Sequence, residues 1–419
     1  MNTFCNLRTV RKNVPFFLKA LCLLTTVTLL GAITTGCNGA NAPIDISSPT
    51  VTSTTASAVE SPAPILPVTT IAYSTIHLLP SHFVADNTAR YVEPTDNPVT
   101  DAGATLGRVL FYDKKLSLNN STACASCHKQ ELAFADNKRL STGFMQGLTR
   151  RHSMNLTNTA YIDAGGGRGG APAVQGFFWD TRAATLEIQA LMPIQDKTEM
   201  GMTLDSLTKR LSQTEYYKPL FAAAFGSPDI TSDRIAKSLA QFVRSLISYR
   251  SKFDVGLQSN FQNFSAQENR GRAIFNGRDG NCATCHGTRT QFIMERPENN
   301  GLDAVSTTDL GLAEVTGNQR DAGRFRVPSL RNIELTAPYM HDGRFLTLEE
   351  VVEHYNSGVQ AHPNLSNQLR ANGQANTPRR LNLSTTDKQA LVAFLKTLTD
   401  TEFIKDSRFA NPFLPQPAN

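Results

Sequence analysis

The chain has 419 residues, of which 18% are charged, and a formal net charge of +5. This length exceeds that of one small domain and predicts two to three domains in a soluble globular protein. Four basic residues lie in the N-terminal segment, which leaves about +1 for the rest of the chain and excludes the strongly basic surface of a nucleic-acid-binding protein.

The N-terminal segment, residues 1–37, has the plan of a secretory signal peptide. Its basic residues precede a short apolar run that ends in small residues, and threonines within that run disfavour a retained membrane helix. The sequence TTGC also resembles a lipoprotein cleavage site that ends at Cys37, although Thr34 stands where such sites usually carry Leu, Val or Ile. We predict export to the periplasm, and a membrane lipid anchor at Cys37 stays open as an alternative.

Residues 38–78 differ in composition from both of their neighbours. They are rich in Ser, Thr, Ala and Pro and almost free of aromatic residues. Such a segment cannot bury enough apolar area to offset its chain entropy. We therefore predict a flexible tether that ends near residue 78.

The remainder of the chain has helical rather than strand periodicity. Apolar residues recur at helical intervals in residues 203–225, 231–250 and 384–398, and Ser265 with Glu268 and Thr347 with Glu350 fit capping boxes. Long alternating patterns are absent, and the Gly-rich residues 163–176 indicate a surface loop. The predicted fold class is all-α and loop-rich.

Two Cys-x-x-Cys-His motifs carry the strongest chemical signal in the sequence. Paired thiols can form thioether links to a haem, and the adjacent imidazole can bind its iron. A zinc ribbon would not require a histidine after each cysteine pair. We predict two covalently bound c-type haems, held by Cys124, Cys127, His128, Cys282, Cys285 and His286.

The two motifs divide the body into two haem-bearing units in tandem. A helical run precedes each motif, at residues 106–117 before the first and 269–280 before the second. We place an N-terminal haem domain at residues 79–250 and a C-terminal haem domain at residues 251–410.

The sequence resembles the bacterial di-haem cytochrome c peroxidases, a family that includes the branch maturing a tryptophan-derived quinone. The resemblance rests on LFYDKKLS, CASCH, FFWDTRAATLEIQALMP, CATCHG, FRVPSLRNIELTAPYMHDGRF and TLEEVV. It implies two cytochrome c-like domains, with hydrogen peroxide reduced at the N-terminal haem. Electrons are expected to enter at the C-terminal haem from a small periplasmic donor such as a cytochrome c or a cupredoxin, and a homodimer is the expected assembly.

The same resemblance assigns catalytic roles to four residues. Trp179 is expected between the haems, and Gln189, Pro193 and Glu199 on the distal side of the N-terminal haem. There Glu199 could move a proton, Gln189 could hydrogen-bond peroxide, and Pro193 could crowd out a competing ligand. Without the family, Trp179 would be read as core packing and the polar residues as surface groups.

The far face of the N-terminal haem is expected to be open in the resting state. Family members usually close it with a histidine from the loop after the first motif, but residues 129–151 contain none. Met145 near the matching place is interpreted as a surface residue, and His152 is the nearest alternative ligand. His152, however, matches an asparagine that binds calcium in the family, together with the carbonyls of Thr336 and Pro338, so a calcium ion stays an open prediction.

Two residues compete to be the second axial ligand of the C-terminal haem. Met340 is the usual type, whereas aligning TLEEVVEHY with the family favours Tyr355, which shares a helix face with Val351. A phenolate lowers the reduction potential, and a thioether raises it. We predict Tyr355 as the ligand and His354 as a residue on the helix surface.

Three functions follow from these features. The first is a peroxidase that reduces hydrogen peroxide to water with electrons from a small donor protein. The second uses the same chemistry to oxidise a protein substrate through high-valent haem and Trp179. The third is a non-catalytic di-haem electron carrier in which both irons are six-coordinate.

Overall fold

The apolar runs of the sequence form short helices joined by long loops. The computed structural model describes residues 63–67, 69–73, 79–84, 91, 93–162, 176–287, 297–374 and 377–414, which belong to one compact unit. The predicted signal peptide, Cys37, most of the tether and nearly all of the Gly-rich loop at 163–176 lie outside these residues. Within them the only β-structure is isolated bridges, which confirms the all-α, loop-rich fold.

Twelve α-helices are found in the described residues. They are α1 (Ser81–Val84), α2 (Asp101–Tyr112), α3 (Cys124–Cys127), α4 (Leu186–Gln195), α5 (Leu204–Ser212), α6 (Tyr217–Phe225), α7 (Ser232–Ser245), α8 (Lys252–Gln258), α9 (Ala266–Asn276), α10 (Ala313–Thr316), α11 (Leu348–Glu353) and α12 (Thr385–Lys396). Both predicted capping boxes, Ser265 with Glu268 and Thr347 with Glu350, are present. None of these helices has the length and apolar composition needed to cross a bilayer.

One helix crossing occurs twice, once before each Cys-x-x-Cys-His motif. On α2 a Cβ at Gly107 would meet the carbonyl oxygen of Ser238 on α7 at 1.9 Å, and on α9 a Cβ at Gly271 would meet that of Ala390 on α12 at 1.9 Å. A glycine is therefore required at each crossing, because any side chain would push the two helices apart.

An aromatic pair follows each glycine by one helical turn. Phe111 packs against Phe242 with ring centroids 5.2 Å apart, and Phe275 packs against Phe394 at 5.1 Å. These pairs lie in two separate hydrophobic clusters, one built mainly from residues before 250 and one from residues after it. The proposed domain boundary near residue 250 stays a prediction, since Phe403 and Phe409 near the C-terminus join the first cluster.

The folded body begins earlier in the chain than the predicted end of the tether. Tyr73 is 4% exposed, its backbone N–H donates to Asp101 over 2.8 Å, and its hydroxyl donates to the Arg408 carbonyl over 2.8 Å. A residue with this burial and these partners is not part of a flexible segment. The tether as predicted, up to residue 78, is therefore too long at its C-terminal end.

Gly107→Ala should destabilise the protein, because the added methyl group overlaps the Ser238 carbonyl on α7. We expect a loss of about 1–3 kcal/mol in the free energy of unfolding, measured by denaturant titration of the haem-loaded protein. Ala223→Ser on the exposed side of α6 is the control and should change this free energy by less than about 0.5 kcal/mol. Equal or greater stability of Gly107→Ala would contradict the close crossing.

Candidate active site

The first motif forms a single helical turn that ends at its histidine. The backbone N–H of His128 donates to the Cys124 carbonyl over 2.9 Å, and the ring Nδ1 donates to the Phe134 carbonyl over 2.9 Å. Burial lowers the pKa of His128, which favours the neutral ring. With Nδ1 engaged in this way, Nε2 is the nitrogen with a lone pair for iron.

Helix α4 carries two of the predicted distal residues. It begins at Thr185, whose side chain accepts from the Ile188 N–H, and Gln189 and Pro193 follow one turn apart on the same face. Both side chains are half-buried. Pro193 has no N–H to donate, so the helix leaves the Gln189 carbonyl without its usual partner. The role of this pair at the haem stays a prediction.

Glu199 lies in the turn that follows α4. Its backbone N–H donates to Asp196 over 3.0 Å, and its carbonyl accepts from the Phe144 N–H over 3.0 Å. The loop after the first motif is pressed against this turn, since a Cβ at Gly143 would meet the Thr198 carbonyl oxygen at 1.7 Å. The backbone of Glu199 is therefore held in place by the loop that follows the first motif.

The Glu199 carboxyl group has a higher pKa than an ordinary glutamate. Burial, followed by the charge of Asp196, raises its pKa to about 7 against the opposing effect of Arg182. Burial also raises the pKa of Cys124 to about 12 and of Cys127 to about 11, and the charge of Glu199 adds to both shifts. The charge of Glu199 therefore influences both cysteines of the first motif, and its own pKa of about 7 allows it to exchange a proton near neutral pH.

The loop after the first motif offers no obvious second ligand. The Met145 side chain is 71% exposed, which agrees with its interpretation as a surface residue. His152 is buried, and its Nδ1 donates to the Lys138 carbonyl over 3.0 Å. Neither residue is presented as a free donor to an iron at the first motif.

A large cavity surrounds the second motif. Residues of the motif line it, and so do both candidate ligands and the proposed bridge residue Trp179. Val351 and Tyr355 line it together, as their spacing along the helix predicted. The cavity thus brings together Cys282, Cys285, His286, Met340, Tyr355 and Trp179.

Arg326 is a cavity residue that the sequence did not single out, although it lies inside the quoted motif FRVPSLRN. Burial lowers its pKa to about 10, and no carboxylate of the described residues pairs with it. Arg326 is half-buried in the cavity wall, and a cation taken out of water without an anion is costly unless a ligand supplies one. The guanidinium fits the anionic propionates of a haem, so the residues present suit that group.

Tyr355 and Met340 lie beside the same amide. Asn300 donates an N–H to Met340 Sδ over 3.4 Å and hydrogen-bonds the Tyr355 oxygen. Burial raises the pKa of Tyr355 to about 12, and the Asn300 hydrogen bond opposes that shift. Sequence reasoning missed Asn300, and the only signal was its position before Gly301, a glycine with φ of +65°.

The prediction that His354 lies on the helix surface is wrong. Its side chain is 6% exposed, and its Nε2 lies 3.2 Å from the Asn300 carbonyl oxygen, to which it donates. The reason is tertiary packing: the Asn300 loop and the Phe345 ring cover the imidazole, and the centroids of the two rings are 5.6 Å apart. His354 itself keeps α-helical dihedral angles at the end of α11, where a π-helical turn over His354–Gly358 begins.

The residues expected around calcium do not fit that ion. The His152 ring hydrogen-bonds the Lys138 carbonyl, and the carbonyls of Arg139 and Thr336 also lie within hydrogen-bonding reach of it. Calcium takes oxygen ligands, and the Thr336 carbonyl assigned to it faces an imidazole instead. Pro338 lines the cavity of the second motif, but it cannot complete an oxygen cage alone.

Trp179 is held by hydrogen bonds through its side chain and its backbone. Its indole N–H donates to the His152 carbonyl over 2.8 Å, and its own carbonyl accepts from the Arg326 N–H over 2.7 Å. The His152 backbone N–H donates in turn to the His341 carbonyl over 2.8 Å. These residues all line the second cavity, so Trp179 is fixed in the wall of that cavity, and its position between two haems stays a prediction.

Comparisons with known proteins agree with a two-haem enzyme class. The model of the family described as di-haem cytochrome c peroxidase matches residues 101–262. The methylamine utilization protein MauG of Methylophilus methylotrophus is 33% identical over 308 residues, which cover 73% of this chain and 84% of that protein. The cytochrome c551 peroxidase of Nitrosomonas europaea is 33% identical over 325 residues, which cover 75% and 84%.

A solved structure extends the likeness to three dimensions. The crystal structure of a MauG-like protein associated with microbial copper homeostasis is 33% identical, with a TM-score of 0.66 over 78% of this chain and 99% of that one. The chain belongs to the di-haem cytochrome c peroxidase family. Membership implies two c-type haems, and the two Cys-x-x-Cys-His motifs are the residues that would hold them.

Removing calcium should leave this protein unchanged, because the His152 ring lies where an oxygen ligand is needed. We expect the thermal unfolding midpoint to be the same with and without a calcium chelator. His152→Asn supplies an oxygen ligand at this position, so its unfolding midpoint should rise when calcium is added. At a calcium concentration of 100 times the Kd, the gain in the free energy of unfolding should be about 2.7 kcal/mol. A chelator-induced loss of stability in the parent protein would contradict this assignment.

Proposed function

We propose that the chain is a di-haem c-type peroxidase that reduces hydrogen peroxide to water with electrons from a small periplasmic donor protein. The observation that carries the proposal is Glu199, a half-buried residue whose carboxyl group has its pKa raised to about 7 and whose charge raises the pKa of Cys124 in the first motif. A structural carboxylate would be expected to pair with a cation and have a lowered pKa.

Reduction of peroxide needs a proton to move between its two oxygens. The haem, when bound at His128, supplies the iron that activates peroxide and passes electrons to it. Glu199 can accept the proton from one peroxide oxygen and return it to the leaving oxygen, because its pKa lies near neutral pH. Each peroxide then yields two waters after two electrons and two further protons arrive.

Gln189 and Pro193 support the same reaction from helix α4. The Gln189 amide can hydrogen-bond bound peroxide, and the Pro193 ring offers bulk without a ligand atom. An open far face of the first haem is supported by the lack of histidine in residues 129–151 and by the exposure of Met145. Peroxide could then bind without prior reduction of the other haem.

The second haem, with His286 and Tyr355 as its ligands, would receive electrons from the donor. Transfer between the sites is supported by Trp179, which lines the second cavity and hydrogen-bonds the backbone of His152. The predicted signal peptide and the two haem-binding motifs both support a periplasmic location, with the lipid anchor at Cys37 and a homodimer as further parts of the proposal.

Glu199→Gln should slow peroxide turnover by about 10²–10⁴-fold, because the amide cannot exchange the proton. The measurement is peroxide-dependent oxidation of a reduced small cytochrome, with haem content determined for each variant. Glu215→Gln is the matched control, since the Glu215 side chain is 86% exposed. Turnover by Glu199→Gln equal to that of the control would refute the proton-transfer role.

The pH dependence should report the same group. The proton-accepting form of Glu199 is the carboxylate, so kcat/KM should rise with pH through about 7 and level off above it. This rise of kcat/KM with pH should be missing in Glu199→Gln. If both proteins show the same rise at the same pH, another group is responsible for it.

A second function, oxidation of a protein substrate, is favoured by one observation. Tyr355 lies beside the second motif, and a phenolate ligand would give that haem a low potential unsuited to easy electron entry. In this case Trp179 would carry oxidising equivalents toward the substrate. Peroxide added without donor should then give an oxidised state that persists in the parent and decays faster in Trp179→Phe.

Absorption spectra of the ferric protein distinguish the two enzymatic functions from that of an electron carrier. An open first haem should give one high-spin and one low-spin signal of equal weight in the resting protein. Two low-spin haems would identify a carrier and would rule out the peroxidase. Immediate bleaching by peroxide in both the parent and Trp179→Phe would leave the simple peroxidase as the function and exclude the second.

A further inference from the structure

The side-chain amide of Asn300 reaches both candidate ligands of the second haem. It donates an N–H to Met340 Sδ over 3.4 Å and hydrogen-bonds the Tyr355 oxygen. All three residues line the cavity of the second motif. One amide, which has two N–H donors, therefore contacts two ligand atoms that compete for one position on the iron.

Three contacts fix the backbone at Asn300 and the following residue, Gly301. The Asn300 carbonyl accepts from His354 Nε2 over 3.2 Å, and the Gly301 carbonyl accepts from the Gln360 N–H over 2.7 Å. Gly301 has φ of +65°, and a Cβ there would meet the Val359 side chain at 2.6 Å. These contacts fix Asn300 against the π-helical turn that carries Tyr355 and against the two residues that follow that turn.

Met340 is held by a different segment. It lies in a turn between Tyr339 and Gly343 with φ of +75°, an uncommon conformation for a residue with a side chain. The Tyr339 N–H donates to the Phe345 carbonyl over 2.7 Å and closes this turn. The thioether is thus presented to the cavity by a separate turn, which contacts the π-helical turn through Phe345 and His354, with ring centroids 5.6 Å apart.

We propose that Asn300 is a positioning residue that selects Tyr355 over Met340 as the axial ligand opposite His286. An N–H donor stabilises an anionic oxygen more than a neutral thioether sulfur, since charge-assisted hydrogen bonds are the stronger ones. The amide therefore lowers the free energy of phenolate ligation relative to thioether ligation. This inference deepens the proposed function, because it rests on the assignment of Tyr355 made there.

The test uses ferric spectra of the haem-loaded protein without peroxide, so that its outcome is separate from turnover. The parent should show phenolate-to-iron charge transfer, and Met340→Leu should leave it unchanged. Asn300→Leu removes both N–H donors and should lose that absorption, gain the absorption of thioether-ligated ferric haem, and raise the reduction potential of the second haem. Asn300→Leu combined with Met340→Leu should leave this haem high-spin.

Asn300→Asp keeps the side-chain shape while it replaces the donor with an anion, and it should also lose the phenolate signature. Asn276→Leu on the exposed face of α9 is the control for adding a leucine near the second motif and should match the parent. Haem content of two per chain, measured in every variant, confirms loading. Phenolate ligation retained in both Asn300 variants, or thioether ligation in the parent, would overturn the proposal.

Discussion

The close crossing of two helices at a glycine is the constraint on which both haem sites depend. Gly107 against Ser238 and Gly271 against Ala390 bring a helix from before each motif onto the last helix of its cluster. Backbones this close leave no room for adjustment, because the interior is packed at crystal-like density. The same close helix packing therefore precedes each Cys-x-x-Cys-His motif, although the first motif forms an α-helical turn and the second a 3-10 turn.

Trp179 is fixed by two hydrogen bonds in the wall of the second cavity. Its indole N–H donates to the His152 carbonyl, and its own carbonyl accepts from the Arg326 backbone N–H. Neither an indole N–H nor a backbone group titrates between about pH 4 and 10, so these two hydrogen bonds do not depend on pH. The residues next to them in sequence form largely buried ion pairs: Arg151 pairs with Asp180 and Asp309, over 2.6 and 2.7 Å.

Local signals allowed much of this structure to be predicted from the sequence. Helical periodicity and capping residues identified α5, α7 and α12 and the starts of α9 and α11, because those features act within one or two turns. The site was harder, since its residues meet through tertiary contacts. His354 was assigned to the surface because the Asn300 loop that covers it is distant in sequence. Tyr73 was assigned to the tether because its partners, Asp101 and Arg408, are also distant in sequence. Asn300 and Arg326 were missed for the same reason.

The titratable groups near the two motifs differ, and this difference favours different chemistry at the two haems. The half-buried Glu199, whose charge acts on the cysteines of the first motif, has a pKa of about 7, so it can gain or lose a proton at little cost. At the second cavity Arg326 keeps its positive charge at neutral pH even though burial lowers its pKa to about 10. Chemistry that consumes protons fits the first environment. Electron transfer, which needs a fixed electrostatic setting more than an exchangeable proton, fits the second.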